Sequence, residues 1–292
     1  MRVFVTGASG FIGLPTVAGL KRAGHEVLGL ARSDEAARKL GQLGANIVRG
    51  ELTDLDILQK ASAESDGVVH LGFVYDFGNP DRALEIDKAA IRAMLAGIAG
   101  SGKAFVGTTG SLGIRPAREV ATENDLAAQP HLWRAPAEEM VLRAAGTRGI
   151  VLRLAPIVHG AGDHSFLPEL ISRAKQNGES LYPGEGTNTW QAVFRDDAAE
   201  LFRLALERGK AGSRYHGIAE PAIPFRDIAA AIGRGLALPT NSISVDEAAK
   251  KLGWIAQLAA MGVPTSSQWT QEELGWKPVG PTLFEDMRSC YF

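Results

Sequence analysis

Short apolar runs alternate with longer segments of helical period through the first half of the chain. Arg2 to Thr6, Glu26 to Leu30, Asn46 to Arg49, Gly67 to Leu71, Ala104 to Thr108 and Ile150 to Leu154 are short runs rich in aliphatic, β-branched or aromatic residues. Their length and make-up predict strands buried on both faces. Phe11 to Gly24 carries Ile12, Thr16, Gly19, Leu20 and Ala23 at helical spacing, and Asp34 to Gly44 reads as a second helix with Ser33 as its N-cap. Segments near 54–61, 81–101 and 134–146 read as further helices. Strands alternating with helices, joined by right-handed crossovers, predict an α/β fold with a doubly wound parallel sheet.

The pattern loosens after residue 158, where Gly and Pro become frequent. A helix is expected from Asp196 to Arg208, a strand near Arg214 to Ile218, and helices near 225–236, 246–260 and 271–275. This division predicts a nucleotide-binding part from 1–158 plus about 193–218. About 159–192 and 219–292 would form a small substrate-binding cap, too irregular for a second sheet domain.

Charge and composition narrow the partners. With 31 Lys+Arg against 33 Asp+Glu the net charge is −2, which argues against binding a phosphate backbone. No apolar run approaches the roughly 20 residues of a membrane helix. The single cysteine, Cys290, can form neither an internal disulfide nor a zinc site with a second thiol. With no leader-like start, these features predict a cytoplasmic protein with a small-molecule partner.

The strongest motif is Thr6-Gly7-Ala8-Ser9-Gly10-Phe11-Ile12-Gly13, between the first strand and the first helix. Gly7 permits a tight turn, Gly10 lets backbone approach a pyrophosphate, and Gly13 lets the helix pack close to the sheet. Ser9, Phe11 and Ile12 complete the turn, and the helix N-terminus favours an anion. In this context the motif predicts the opening of a Rossmann dinucleotide site.

The stretch resembles the short-chain dehydrogenase/reductase superfamily in its extended and atypical branches, the NAD-dependent epimerase/dehydratase group. Glu51-Leu52-Thr53-Asp54 is similar to the family's GDLxD segment beside the adenine. His70-Leu71-Gly72-Phe73 resembles its HLAA turn, and Arg153 to Gly160, including Pro156, its RPxxVYG stretch near the nicotinamide. Val193 to Asp197 resembles VHVDD, and Leu274 to Pro278 resembles LGWxP. The resemblance implies a nicotinamide cofactor held by these segments and by Thr108, and allows a homodimer.

The end of the second strand reads Leu30-Ala31-Arg32-Ser33. An acid there would hold the ribose hydroxyls of NAD; Arg32 and Ser33 instead suit the 2′-phosphate of NADP, so NADP(H) is expected over NAD(H). Asp34 reads as serving the helix dipole.

The superfamily's reductases use a Ser/Thr with Tyr and Lys in a YxxxK pattern. None of Tyr75, Tyr182, Tyr215 and Tyr291 precedes a lysine by four residues. Aligning Glu138 and Met140 to Leu142 with the family's helix puts Arg134 at the lysine and Pro130 at the tyrosine. Thr109 and Ser111 after the fifth strand are the candidate hydroxyls. Tyr75 and His131 are candidate proton donors, with His159, His164 and Tyr182 behind them. No His/Asp/Glu cluster has metal-ligand spacing, so no metal is expected. Phe77, Phe166, Tyr182, Trp190 and Trp133 would line an apolar substrate pocket, unless they fill the cap's core.

The leading expectation is an NADPH-dependent oxidoreductase acting on a carbonyl or activated double bond of a small, mostly apolar substrate. A non-catalytic NADP-binding sensor fits the missing tyrosine as well. An epimerase or dehydratase is the third alternative.

Overall fold

The computed structural model describes residues 1–74, 79–126 and 134–292. In chain order the main sheet and its helices are β1 (Arg2–Thr6), α1 (Gly13–Arg22), β2 (Glu26–Ala31), α2 (Asp34–Gln42), β3 (Asn46–Arg49), α3 (Leu55–Ala63), β4 (Gly67–His70), α4 (Pro80–Gly97), β5 (Ala104–Gly110), α5 (Ala135–Leu142) and β6 (Arg148–Leu154). There follow β7 (Ile157–His159), α6 (Phe166–Asn177), β8 (Ser180–Pro183), β9 (Thr189–Phe194), α7 (Arg195–Arg208), β10 (Ser213–Gly217), β11 (Glu220–Pro224) and α8 (Phe225–Leu236). The chain ends with β12 (Thr240–Ile243), α9 (Val245–Leu252), α10 (Ala256–Ala259), α11 (Gln268–Leu274) and α12 (Leu283–Cys290).

Seven strands form one parallel sheet in the order β10-β6-β5-β4-β1-β2-β3. Strand alternation splits the core in two. Val3 and Val5 of β1 face a layer holding Val17 and Leu20 of α1, Leu40 of α2 and Phe202 of α7. Phe4 faces Leu58 of α3, Ile91 and Met94 of α4, and Val141 of α5. The strand order reverses between β1 and β4, so the turns after these two strands border a crevice at the sheet's carboxyl edge. That is where open α/β sheets take their ligands.

The segments expected to form a cap are more regular than the sequence suggests. They contain a three-stranded sheet, β11-β9-β7, and a parallel pair, β12-β8. Their core holds Leu167, Leu170, Ile171 and Ala174 of α6 together with Trp190 and Phe225. Pro168 reads as a helix breaker in the sequence, but it falls in the first turn of α6, where proline does no harm. The helix expected over 246–260 is broken at Gly253, whose φ of 65° ends α9 before a 3-10 turn and α10. Leu274 and Trp276 pack into the core of the main sheet. The Trp276 ring N–H donates to the Asp197 carbonyl (2.9 Å), while the Asp197 carboxylate accepts the N–H groups of Val279 and Gly280. This ties the returning chain to the first turn of α7.

Candidate functional site

The turn after β1 is built by absent side chains. Gly7 has φ 65°, and a Cβ there would lie 2.6 Å from the Gly72 nitrogen. The glycine turn therefore rests directly on the turn after β4. A Cβ on Gly13 would lie 2.0 Å from the Gly7 carbonyl oxygen and 2.7 Å from the Ala8 carbonyl. This revises the sequence reading of Gly13: what its missing Cβ admits is the backbone of the turn itself, not the sheet. Gly10 is less confined, with a Cβ placed 3.1 Å from the Gly7 oxygen, and its N–H donates to that oxygen (3.0 Å).

α1 starts without a cap. Ile12, at its N-cap, offers no side-chain hydrogen bond, and the first turn holds no acid. The contrast with α2 is direct: Ser33 caps it by accepting the Ala36 N–H (3.2 Å), and Asp34 and Glu35 fill its first turn. An uncapped helix start leaves a positive dipole end open, although here the Leu14 N–H donates to the Gly10 carbonyl (3.0 Å) and Pro15 has no N–H to offer. A dinucleotide's pyrophosphate fits this cradle.

Arg32 and Ser33 are exposed at the end of β2. Arg49 pairs with Asp34, so the acid nearest Arg32 is already countered. The Leu52 side chain lies by Gly72, 3.0 Å from where a Cβ there would stand. Glu51 accepts the Thr53 hydroxyl (2.8 Å), and its N–H donates to Asp54 (2.8 Å). Pro156 is buried.

Beneath the crevice runs a buried polar chain that the sequence did not announce. Arg134 donates from Nε to Asp87 Oδ2 (2.9 Å) and from Nη2 to Oδ1 (2.8 Å). Nη2 also donates to the Gly72 carbonyl (3.4 Å), and the guanidinium lies 5.2 Å from the centre of the Phe73 ring. His70 Nε2 is 3.0 Å from Asp87 Oδ1, and His70 Nδ1 is 2.6 Å from the Thr6 hydroxyl. Asp87 is ionised, because Arg134 and His70 outweigh the burial that would raise its carboxyl. An ionised carboxylate can only accept, so His70 carries its proton on Nε2 and takes the Thr6 proton on Nδ1. The Thr6 oxygen in turn accepts the Gly72 N–H (3.2 Å). Thr108 donates to the His70 carbonyl (2.8 Å). The ends of β1, β4 and β5, α4 and the start of α5 are thereby joined.

A second cluster lies one helical turn further along α5. The Glu138 carboxylate accepts from Arg153 (2.6 and 2.9 Å), from Arg214 (2.5 Å) and from the Thr109 hydroxyl (3.2 Å). Thr109 and Arg153 are register partners, as are Arg153 and His216, so the row runs across the sheet edge. The Ser111 hydroxyl donates to Gln191 (3.0 Å). Both candidate hydroxyls thus direct their protons to protein acceptors.

Tyr75, Phe77, Pro130, His131 and Trp133 lie outside the described residues. Of the other proton candidates, His164 stands edge-on to Phe11 with ring centres 6.0 Å apart, beside the glycine turn. His159 is buried, with Nδ1 2.8 Å from Asp286. Tyr182 and Phe166 pack on the cap core, and Trp190 is fully buried within it, which removes Trp190 from the expected substrate pocket. Apolar shape alone could not separate a core tryptophan from a lining one. A cleft of about 370 Å³ opens between α6 and the end of α12, with Gly160, Ser172, Lys175 and Tyr291 among its walls. Gly160 in turn approaches the Phe11 ring. Among the described residues no group of three or more His, Cys, Asp or Glu could hold a metal, and no helix is long and apolar enough to cross a membrane.

The two clusters make stability pH-dependent. Burial and the nearby Arg134 push the His70 imidazole below its ordinary 6.5. At Asp87 and Glu138 burial is outweighed by arginine partners, and the carboxyls fall below their ordinary 3.8 and 4.5. In each case the unfolded chain takes up protons first as the pH drops. Stability should be full above about pH 7 and fall on acidification, through the histidine first and the carboxylates next. Melting temperatures between about pH 8 and 4 check this; a protein that grew more stable on acidification would contradict it.

Comparison with known proteins places this geometry. Residues 3–130 and 131–218 match the family described as NAD dependent epimerase/dehydratase. An uncharacterized protein of Saccharomyces cerevisiae is 48% identical over 296 residues, covering 100% of this chain and 99% of that one. The 2-alkyl-3-oxoalkanoate reductase of Stenotrophomonas maltophilia is 28% identical over 301 residues, covering 94% of this chain and 89% of the other. Among solved structures, the dTDP-glucose 4,6-dehydratase DesIV of Streptomyces venezuelae, with NAD and TYD bound, superposes with a TM-score of 0.77 at 18% identity. It covers 99% of this chain and 95% of its own.

Proposed function

The chain belongs to the NAD dependent epimerase/dehydratase family, and on that premise we propose that it is an NADP(H)-dependent oxidoreductase. It would act on a carbonyl or activated double bond of a small, mostly apolar substrate. The observation that carries this is the cradle after β1: two glycines closed by backbone, and a helix start without a cap. The cradle would hold the pyrophosphate through Gly7, Ser9, Gly10, Phe11, Ile12 and Gly13. Glu51 and Leu52 would border the adenine, and Leu71 to Phe73, Thr108 and Pro156 would line the remainder of the crevice. The nicotinamide supplies the hydride. Residues 1–158 and about 193–218 would bind it, and the remaining segments would cover the substrate. The reductase relative supports a carbonyl substrate.

The preference for NADP(H) rests on Arg32. Its guanidinium is exposed with the neighbouring Asp34 neutralised by Arg49, and Ser33 keeps a hydroxyl proton to donate while it caps α2. Arg32→Glu should weaken NADPH binding by roughly tenfold to a hundredfold, the worth of a charge-assisted hydrogen bond, and leave NADH nearly unchanged. Fluorescence titration with both dinucleotides measures this; equal losses would remove the phosphate reading.

One observation favours a second reading, a dinucleotide-binding sensor without turnover. Thr109 and Ser111 already give their protons to Glu138 and Gln191. A panel of carbonyl and enone compounds, followed by the absorbance of NADPH, separates the two. Consumption with any member supports the oxidoreductase; tight NADPH binding with no consumption supports the sensor.

A further inference from the structure

We propose that Asp87 positions Arg134 for a bound dinucleotide, and that this pairing accounts for an arginine where the family's helix carries a lysine. The inference rests on the dinucleotide reading above and deepens it. Asp87 stands in the apolar stripe of α4, among Ala83, Ala90, Ile91 and Met94, with no exposed surface. Both its oxygens are occupied, Oδ2 by Arg134 Nε and Oδ1 by Arg134 Nη2 and His70 Nε2. Two parallel N–H bonds fix the plane of a guanidinium, which an ammonium cannot match.

A guanidinium has five N–H groups. Here Nε–H and one Nη2–H go to Asp87, and the second Nη2–H goes to the Gly72 carbonyl. The two N–H groups of Nη1 have no protein partner among the described residues, and Nη1 is not one of the buried orphaned atoms. Gly72 is also the residue on which Gly7 rests. Asp87 thus holds the Nε–Nη2 edge of the guanidinium beside the floor of the glycine turn, and among the described residues nothing takes up Nη1, the donor we assign to the dinucleotide. Behind Asp87, neutral His70 and Thr6 fix the carboxylate's orientation without adding charge.

The test uses the whole chain, NADPH and NADH as probes, and two readings: dissociation constant and melting temperature. Asp87→Asn strands the arginine, so it should lower the melting temperature and weaken both dinucleotides at least tenfold. Pairing Asp87→Asn with Arg134→Gln leaves no buried charge, so the melting temperature should recover while binding stays at least tenfold weak. Arg134→Lys keeps the charge, and its ammonium is drawn to Asp87, so binding should again fall at least tenfold. Wild-type affinity in the double variant or in Arg134→Lys would overturn the proposal, since the pair would then be structural only. A wild-type chain that binds neither dinucleotide would instead fail the functional reading itself.

Discussion

Replacing Gly13 with alanine is expected to abolish dinucleotide binding and to destabilise the fold. The added Cβ would meet the Gly7 oxygen at 2.0 Å and the Ala8 carbonyl at 2.7 Å. All of these are backbone atoms of the turn, so no flexible side chain can move aside. Relief requires either the turn to open or α1 to withdraw, and each separates the helix N–H groups from the place of the pyrophosphate. Overpacking of this kind costs about 1–3 kcal/mol, which at roughly 2–4 °C per kcal/mol lowers the melting temperature by several degrees. Gly10→Ala is the internal control. Its Cβ would stand 3.1 Å from the Gly7 oxygen, a contact relieved by a few tenths of an ångström. Its effect on melting temperature should be clearly smaller, while NADPH binding should still weaken, because bare backbone at Gly10 is what admits the pyrophosphate. Equal effects of the two alanines on thermal unfolding would contradict this description of the turn.

Removing the charge of Glu138 should be the most destabilising single change in the polar interior. Its carboxylate faces Arg153, which is 1% exposed, and Arg214. Glu138→Gln keeps the shape but leaves buried Arg153 without a counter-ion, leaves Arg214 with Glu139 alone (2.6 Å), and turns an amide N–H₂ toward both guanidinium groups. Breaking a buried pair from one side costs about 3–5 kcal/mol. Thermal unfolding at neutral pH should register a loss of that order, and a loss below about 1 kcal/mol would show the cluster to be solvated. The same variant loosens Thr109, whose hydroxyl now donates to Glu138.

The strands of the main sheet were legible because each is buried on both faces, and burial leaves a mark in composition that needs no partner to be read. The glycine turn was legible for a similar reason: a backbone clash excludes every other residue type. The cap was less so. β7, β8 and β12 are three or four residues long and exist only because distant segments pair with them. The polar networks were missed for a different reason. Asp87 did leave a signal, a carboxylate in the apolar stripe of α4, and Arg153 another, an arginine inside a buried strand. Each demanded a buried partner, but neither spacing nor composition says that these partners are Arg134 and Glu138. Arg134 is legible only through its alignment with a lysine, and its bond to Asp87 depends on two helices meeting over the sheet edge. Trp190 shows the opposite limit, since an aromatic side chain reads alike whether it lines a pocket or fills a core.

The most direct test of the account is a titration of the purified chain with NADPH and NADH, followed by tryptophan fluorescence and by melting temperature. The account predicts saturable binding of both, a rise in melting temperature with each, and tighter binding of NADPH. Unchanged fluorescence and melting with both dinucleotides at millimolar concentration, on the order of a thousand times a micromolar dissociation constant, would contradict it.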